Sequence, residues 1–372
     1  MSMSYELMMR KKGMPSRYQE VEYIESTRTQ YIDTGLIPKV TFKYKIKYSL
    51  NSIENQTLFG SRTSGTYNTS RNQIYFNVNS NSLEGAKTYL LNIYGVNNVD
   101  LDIVPTQNVI VETPIIQNEN CVLENATRPI YLFALNNQGS AGVLAKTKMY
   151  YLQIYDNGTL VRNFVPVYDT ETQKYGMWES GVQGKFYGNA GTGDFKGSIV
   201  GYTKVGSPTI TDGVVSGFSS ANYLTLPDVD FSSNFESQVA FKINTYSPCG
   251  IFCLNSYDYK GWHCIGSNIL AFSLHITNGN DTKFARLQLT VSENTDYIAN
   301  AKRIGNNVVC SLYSNGTLVS QQSVTIDEGY DVIEGVGYNI GKNTVGAFDG
   351  TIDLNNTYIK INNKLWFNGQ PA

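Results

Sequence analysis

Apolar and polar residues alternate in short runs along nearly the whole chain. In VTFKYKIKYSL (residues 40–50), Lys43, Lys45 and Lys47 alternate with Phe42, Tyr44, Ile46 and Tyr48. That is the two-residue period of a strand with one wet and one packed face. QIYFNV (73–78), RPIYLFAL (128–135) and NVVCSLY (307–313) form similar runs set between Gly, Asn, Ser and Asp, and they read as further strands. Many short strands with little helix between them predict an all-β fold built of two-sheet antiparallel sandwiches.

The exception is SYELMMRKKG near the start. Tyr5, Met8 and Met9 stand at helical i, i+3, i+4 spacing, and Arg10 to Lys12 suit the negative end of a helix dipole. Two turns are unstable alone in water. Residues 1–15 are therefore expected to order by docking on another protein through Tyr5, Leu7, Met8 and Met9; the alternatives are a frayed tail or a helix lying on its own first domain. A chain of 372 residues suits two domains. The Gly-rich stretch KFYGNAGTGDFKGSIVGYTKVGSP has little apolar alternation and marks a boundary near 197–205. The expected domains are 16–198 and 199–372.

YDNGTLV (155–161) recurs as YSNGTLV (313–319). If one unit had been copied, the early strands around Tyr31 and Tyr223 should stand equally far from the two strings. They do not, and TYIKINNKLWF (357–367) is the better counterpart of YYLQIYDNGTLV (150–161). Turn chemistry explains the shared string instead, because a two-residue hairpin loop needs positive φ at both positions and Asn-Gly tolerates it.

Hydrophobic residues make up 41% of the chain and charged residues only 16%, below the quarter or so that is usual, so the polar surface is written in Asn, Ser, Thr and Tyr. With 29 Lys and Arg against 31 Asp and Glu, no global field draws nucleic acid or an anionic membrane. The first residues contain no apolar run of signal-peptide length, and nothing reaches the length of a membrane-spanning helix. Five cysteines, Cys121, Cys249, Cys253, Cys264 and Cys310, form an odd set that points to free thiols made in a reducing cytoplasm. Sequons such as Asn125-Ala-Thr127 are then by-products of an Asn-rich surface.

Candidate chemistry is sparse. Cys249, Cys253, His263 and Cys264 are residue types that zinc accepts, but their spacing fits no zinc pattern, and Cys253, Cys264 and Cys310 sit in apolar runs where a thiol acts as a small hydrophobe. His263 and His275, the two histidines of the chain, have no nucleophile elbow near them. Gly188, Gly191 and Gly193 in GNAGTGDF read as a loop closing the first sandwich. No metal, cofactor or catalytic set is expected. Binding is better placed: NSYDYKGWHC puts Tyr257, Tyr259 and Trp262 beside Asp258 and Lys260, and exposed aromatic faces flanked by polar groups are what sugar rings stack on. The same residues could instead cap the core.

YQEVEYIESTRTQYIDTG (18–35), KTKMYYLQIYDNGTLVRNFVPV (146–167) and GKFYGNAGTGDF (184–195) resemble the opening, late hairpin and closing segment of concanavalin-A-like, laminin-G-like jelly rolls found in virion proteins of gut bacteriophages and surface proteins of their hosts. SGFSSANYLTLPD (216–228) and GTIDLNNTYIKINNKLWFNG (350–369) resemble a second version of that domain. The resemblance implies two tandem jelly rolls in a phage head fibre, capsid decoration or tail adhesin, located in the virion and non-enzymatic, bound to other virion proteins by residues 1–15. It implies contact with a host surface glycan and a homo-oligomer, a trimer in many fibres. Two alternatives come with it: a glycan-binding surface protein of a gut bacterium, and a laminarinase-like glycoside hydrolase. For the hydrolase, EVEYIE would have to act as the paired-carboxylate strand. Glu20 and Glu22 share a face, but Glu25 points the other way in a regular strand, and a bulge would be needed to bring it round.

Overall fold

The computed structural model describes residues 14–371 apart from 53, 64–70, 79–88, 95–98, 104–114, 120–126, 255–260, 266–267 and 333–337, and for residues 71–119 and 254 it describes the backbone alone. The docking candidates Tyr5, Leu7, Met8 and Met9 lie outside the described residues, as do Tyr257, Tyr259 and Cys121. Every element among the described residues is a strand. The chain divides into two compact units, residues 1–198 and 199–372.

In the first unit the long strand Lys146–Asp156 organises one sheet. Phe42–Leu50 pairs along one of its edges, and Ile24–Thr27 and Thr159–Asp169 pair along its two halves. Lys174–Glu179 and Lys185–Tyr187 extend that sheet beyond Thr159–Asp169. A second sheet runs Ser140–Gly142, Leu135–Asn137, Gln56–Arg62, Arg71–Val78, Tyr89–Tyr94, Ile115–Glu119. The lysine alternation reads out directly: Phe42, Tyr44, Ile46 and Tyr48 are buried, and Lys43 is exposed.

The second unit repeats the central arrangement. Gly350–Ile361 takes Phe235–Ile243 along one edge, with Lys364–Pro371 and Val214–Ser216 along the other. That sheet continues from Phe235–Ile243 through Asp296–Ile304 and Asn307–Ser314 to Thr317–Thr325. The other sheet runs Thr282–Thr290, Ile269–Thr277, Gly261–Cys264, Cys249–Leu254, Tyr338–Ile340, Tyr223–Leu226. Val200–Val205 pairs into both sheets, as strands at sandwich corners do. Phe235, Phe241, Phe252, Trp262, Phe272, Tyr338, Phe348 and Phe367 belong to one apolar core. Thr317–Thr325 ends its sheet, is largely exposed and carries no charged side chain.

This pairing answers the repeat question. Gly350–Ile361 occupies in the second unit the place that Lys146–Asp156 holds in the first, so TYIKINNKLWF is the counterpart of YYLQIYDNGTLV, and YSNGTLV belongs to another hairpin. Three of the hairpin loops nevertheless share one combination of turn and bulge. Asn157-Gly158, Asn315-Gly316 and Asn362-Asn363 all have positive φ at both positions, the type I′ signature. In each, the third residue after the turn is an extra one in the ladder: Val161 between Leu160 and Arg162, Val319 between Leu318 and Ser320, Trp366 between Leu365 and Phe367. The shared heptapeptide thus carries a turn and a β-bulge together, and the bulge adds twist where the strand leaves the turn. Gly158 has φ of 82°, and a Cβ added there would meet open space. Gly158→Ala should therefore cost only the left-handed backbone penalty, about 1 kcal/mol, read as a lower urea midpoint.

Candidate functional site

An open groove of about 420 Å³ lies on the Phe235–Ile243 sheet of the second unit, a size within the usual range for ligand sites. Its lining comes from Val214, Ala240, Ile298 and Tyr313, with Asp296, Thr351, Asp353, Asn356 and the Asn315-Gly316 turn around them. Ala240 pairs with Ile298 across the ladder, and Ile298 with Tyr313, which lays a continuous apolar strip over three strands. Tyr313 is the residue two before the positive-φ turn, so the I′ hairpin sets the position of its ring and of Asn315 together.

The polar wall is made by an irregularity in Gly350–Ile361. Successive partners of the neighbouring strand jump from Tyr358, opposite Gln238, to Asp353, opposite Ala240. Asp353 holds the resulting excursion. Its Oδ1 accepts the Asn355 N–H at 2.9 Å, its Oδ2 accepts Asn356 Nδ2 at 2.7 Å, and its carbonyl accepts the Thr357 hydroxyl at 2.7 Å. Thr357 Oγ1 in turn accepts the Ala240 N–H at 3.2 Å, while Gln238 Nε2 donates to the Asn356 carbonyl at 3.0 Å. The Asp212-Gly213 turn packs on Asn355, which donates to the Asp212 carbonyl at 2.9 Å, and brings Val214 to the rim.

Further along the same strands, Glu236 accepts from Tyr358 and, at 3.3 Å, from Asn300, with Lys302 at 3.4 Å. Burial alone would raise the Glu236 carboxyl, but Tyr358, Lys302, Lys360 and Asn300 together hold it below its ordinary value. Burial, then the bond to Glu236, pushes the Tyr358 phenol up. The groove lining contains two carboxylates, two amides, hydroxyls and apolar surface, and no lysine or arginine. Chemically, it can accept and donate hydrogen bonds to a neutral polyhydroxyl ligand and offer apolar area to its C–H faces.

Trp262 is not the exposed stacking face that NSYDYKGWHC suggests. It is fully buried in Gly261–Cys264, with its ring centre 4.9 Å from that of Phe272, so no sugar can reach the indole in this fold. Gly261 explains the difference: with φ of 87°, and with space for a Cβ denied by the Tyr338 hydroxyl, it starts the strand one residue before Trp262.

Glu20, Glu22 and Glu25 do not share a strand. Tyr18–Glu20 pairs with Thr159–Asp169, whereas Ile24–Thr27 pairs with Lys146–Asp156, and Glu25 lies opposite Lys148 and Lys196 in its ladders. The glycine loop closes on the first unit: Ala190 and Thr192 donate to the Tyr31 and Thr29 carbonyls at 2.8 and 3.0 Å. Cys249, Cys253, Cys264 and Cys310 are buried free thiols, and among the described residues no three Cys, His, Asp or Glu side chains converge as metal ligands. His275 is buried with its ring 4.1 Å from Phe284. His263 Nδ1 lies 3.0 Å from the Gly261 carbonyl, which can only accept, so Nδ1 carries the proton. Burial draws its pKa down to about 4.

No family model matches the chain, and no characterised sequence does. Three solved structures are similar in outline. A functionally unknown protein from Saccharomyces cerevisiae matches 44% of this chain and 97% of its own at 15% identity and a TM-score of 0.26. Domains LG4-5 of the mouse laminin alpha1 chain match 94% and 89% at 10% identity and 0.26. A heptameric SAP-like pentraxin from Limulus polyphemus matches 45% and 77% at 14% identity and 0.24. At such TM-scores the likeness carries no argument, and the class rests on strand pairing: an all-β protein of two-sheet sandwiches. Among the described residues no helix is long and apolar enough to cross a membrane.

Proposed function

We propose that the chain is a non-enzymatic adhesive protein of a phage virion, a head fibre, capsid decoration or tail adhesin, whose second unit holds host surface glycan in the groove beside Tyr313. Residues 1–15 dock it on other virion proteins, and many displayed copies compensate for a shallow single site. The virion setting comes from the sequence resemblance. The observation that carries the binding reading is the groove itself: an apolar strip through Ala240, Ile298 and Tyr313, edged by Asp296, Asp353, Asn315 and Asn356.

The test is a glycan array on the full chain followed by titration of the best ligand. Tyr313→Ala should weaken binding about tenfold, the loss of one aromatic contact of about 1 kcal/mol or slightly more, with the urea midpoint recorded alongside. Absence of any glycan ligand for the wild-type chain, or equal affinity of the folded variant, would overturn the reading.

A further inference from the structure

We propose that Cys249 and Cys264 form a cross-strand disulfide when the chain meets a disulfide oxidant. The two are direct partners in the antiparallel ladder between Cys249–Leu254 and Gly261–Cys264. Directly opposite residues point to the same face with Cα atoms about 4.5 or 5.5 Å apart, and both spacings fall inside the disulfide range of roughly 4.4–6.8 Å. Both side chains lie in the apolar core of the second unit.

The other described thiols lack this arrangement. Cys253 faces Gly261 across the ladder and donates to the Lys342 carbonyl at 3.8 Å. Cys310 faces Ala301 on one side and Gln322 on the other. Among the described residues, Cys249 with Cys264 is the one pair of cysteines set opposite each other.

The oxidant is a small-molecule disulfide such as oxidised glutathione. One cysteine thiolate attacks it and expels a glutathione thiolate; the second cysteine then attacks the mixed disulfide and expels the other. Both cysteines lose a proton and one electron each, and the reagent leaves as two thiols. The hydrogen bond to Cys264, then burial, pushes the Cys249 thiol up, so thiolate is scarce while the hairpin stays closed. The bridge therefore forms during folding or when the hairpin opens, after the chain leaves a reducing compartment. It ties residue 249 to residue 264 and restricts the unfolded chain.

The experiment refolds the full chain from urea with oxidised and reduced glutathione, and in a second arm holds the native chain with oxidised glutathione for several days. Peptide mapping without reductant should recover one linked peptide, Cys249 to Cys264, in the refolded arm first and in the native arm slowly. The urea midpoint should rise and return to its starting value on reduction. Cys253→Ser should leave the bridge intact, and Cys264→Ser should leave Cys249 reduced or carrying a single glutathione, without a new link to Cys253. Absence of the Cys249–Cys264 peptide in both arms, a link to Cys253 in its place, or a bridged form with a lower urea midpoint would each overturn the proposal.

Discussion

Replacing Trp262 with alanine is expected to lower the unfolding free energy by about 3–5 kcal/mol, the cost of truncating a large buried aromatic, and, if the proposed groove is the glycan site, to leave the glycan affinity of the folded chain unchanged. The indole has no solvent exposure and packs on Phe272 inside the second unit, while the groove is built on the other sheet. Urea denaturation followed by circular dichroism gives the first quantity, and titration at a temperature where the variant remains folded gives the second. The opposite pattern, lost binding at native stability, would put the indole on the surface and return the sugar site to the segment around residue 260.

Acid should destabilise the second unit well above the carboxylate range, by on the order of 3 kcal/mol between pH 6.5 and 4, because of His263. Its pKa falls from 6.5 to about 4 in the fold, chiefly through burial. The unfolded chain takes up the proton as pH drops through 6.5 and the native chain does not, so the unfolded state binds more protons and stability falls with pH across that window, about 1.4 kcal/mol per unit. Glu236 and Asp156, whose folded pKa values are lowered, act below their ordinary values of 4.5 and 3.8. His263→Asn should give a urea midpoint that falls much less from pH 7 to 5 than that of the wild type, whatever its absolute value. A slope unchanged by the substitution would show that the imidazole is accessible to protons in the fold.

Where one face decides the pattern, the sequence can be read to the residue. Lys43, Lys45 and Lys47 mark the outside of their strand because burying an ammonium is costly and burying Phe42, Tyr44, Ile46 and Tyr48 is not. The type I′ turns are legible for a similar reason, since few residues other than Asn and Gly tolerate positive φ twice in succession. The bulges at Val161, Val319 and Trp366 are not, because a bulge is a property of two strands and only the partner reveals the unmatched residue. Local polarity misleads at Trp262, because Asp258 and Lys260 nearby do not report on which side of a glycine the strand begins. The groove is invisible in the sequence for a further reason. Its lining is drawn from positions between Val214 and Asn356 that only sheet order brings together. Two of its residues, Tyr313 and Asn315, do belong to the repeated heptapeptide, but the turn and bulge account for that recurrence without a binding role.

Among the described residues the outermost strand Thr317–Thr325 has no further strand paired to it, and it carries no lysine, glutamate or proline to discourage a neighbour, the kind of border along which proteins stack into aggregates. The unmatched Val319, more than half exposed, serves as the guard. It breaks the even spacing of amides and carbonyls near the hairpin tip, so an approaching strand loses step after a few residues. Two copies meeting edge to edge would then touch without zipping together.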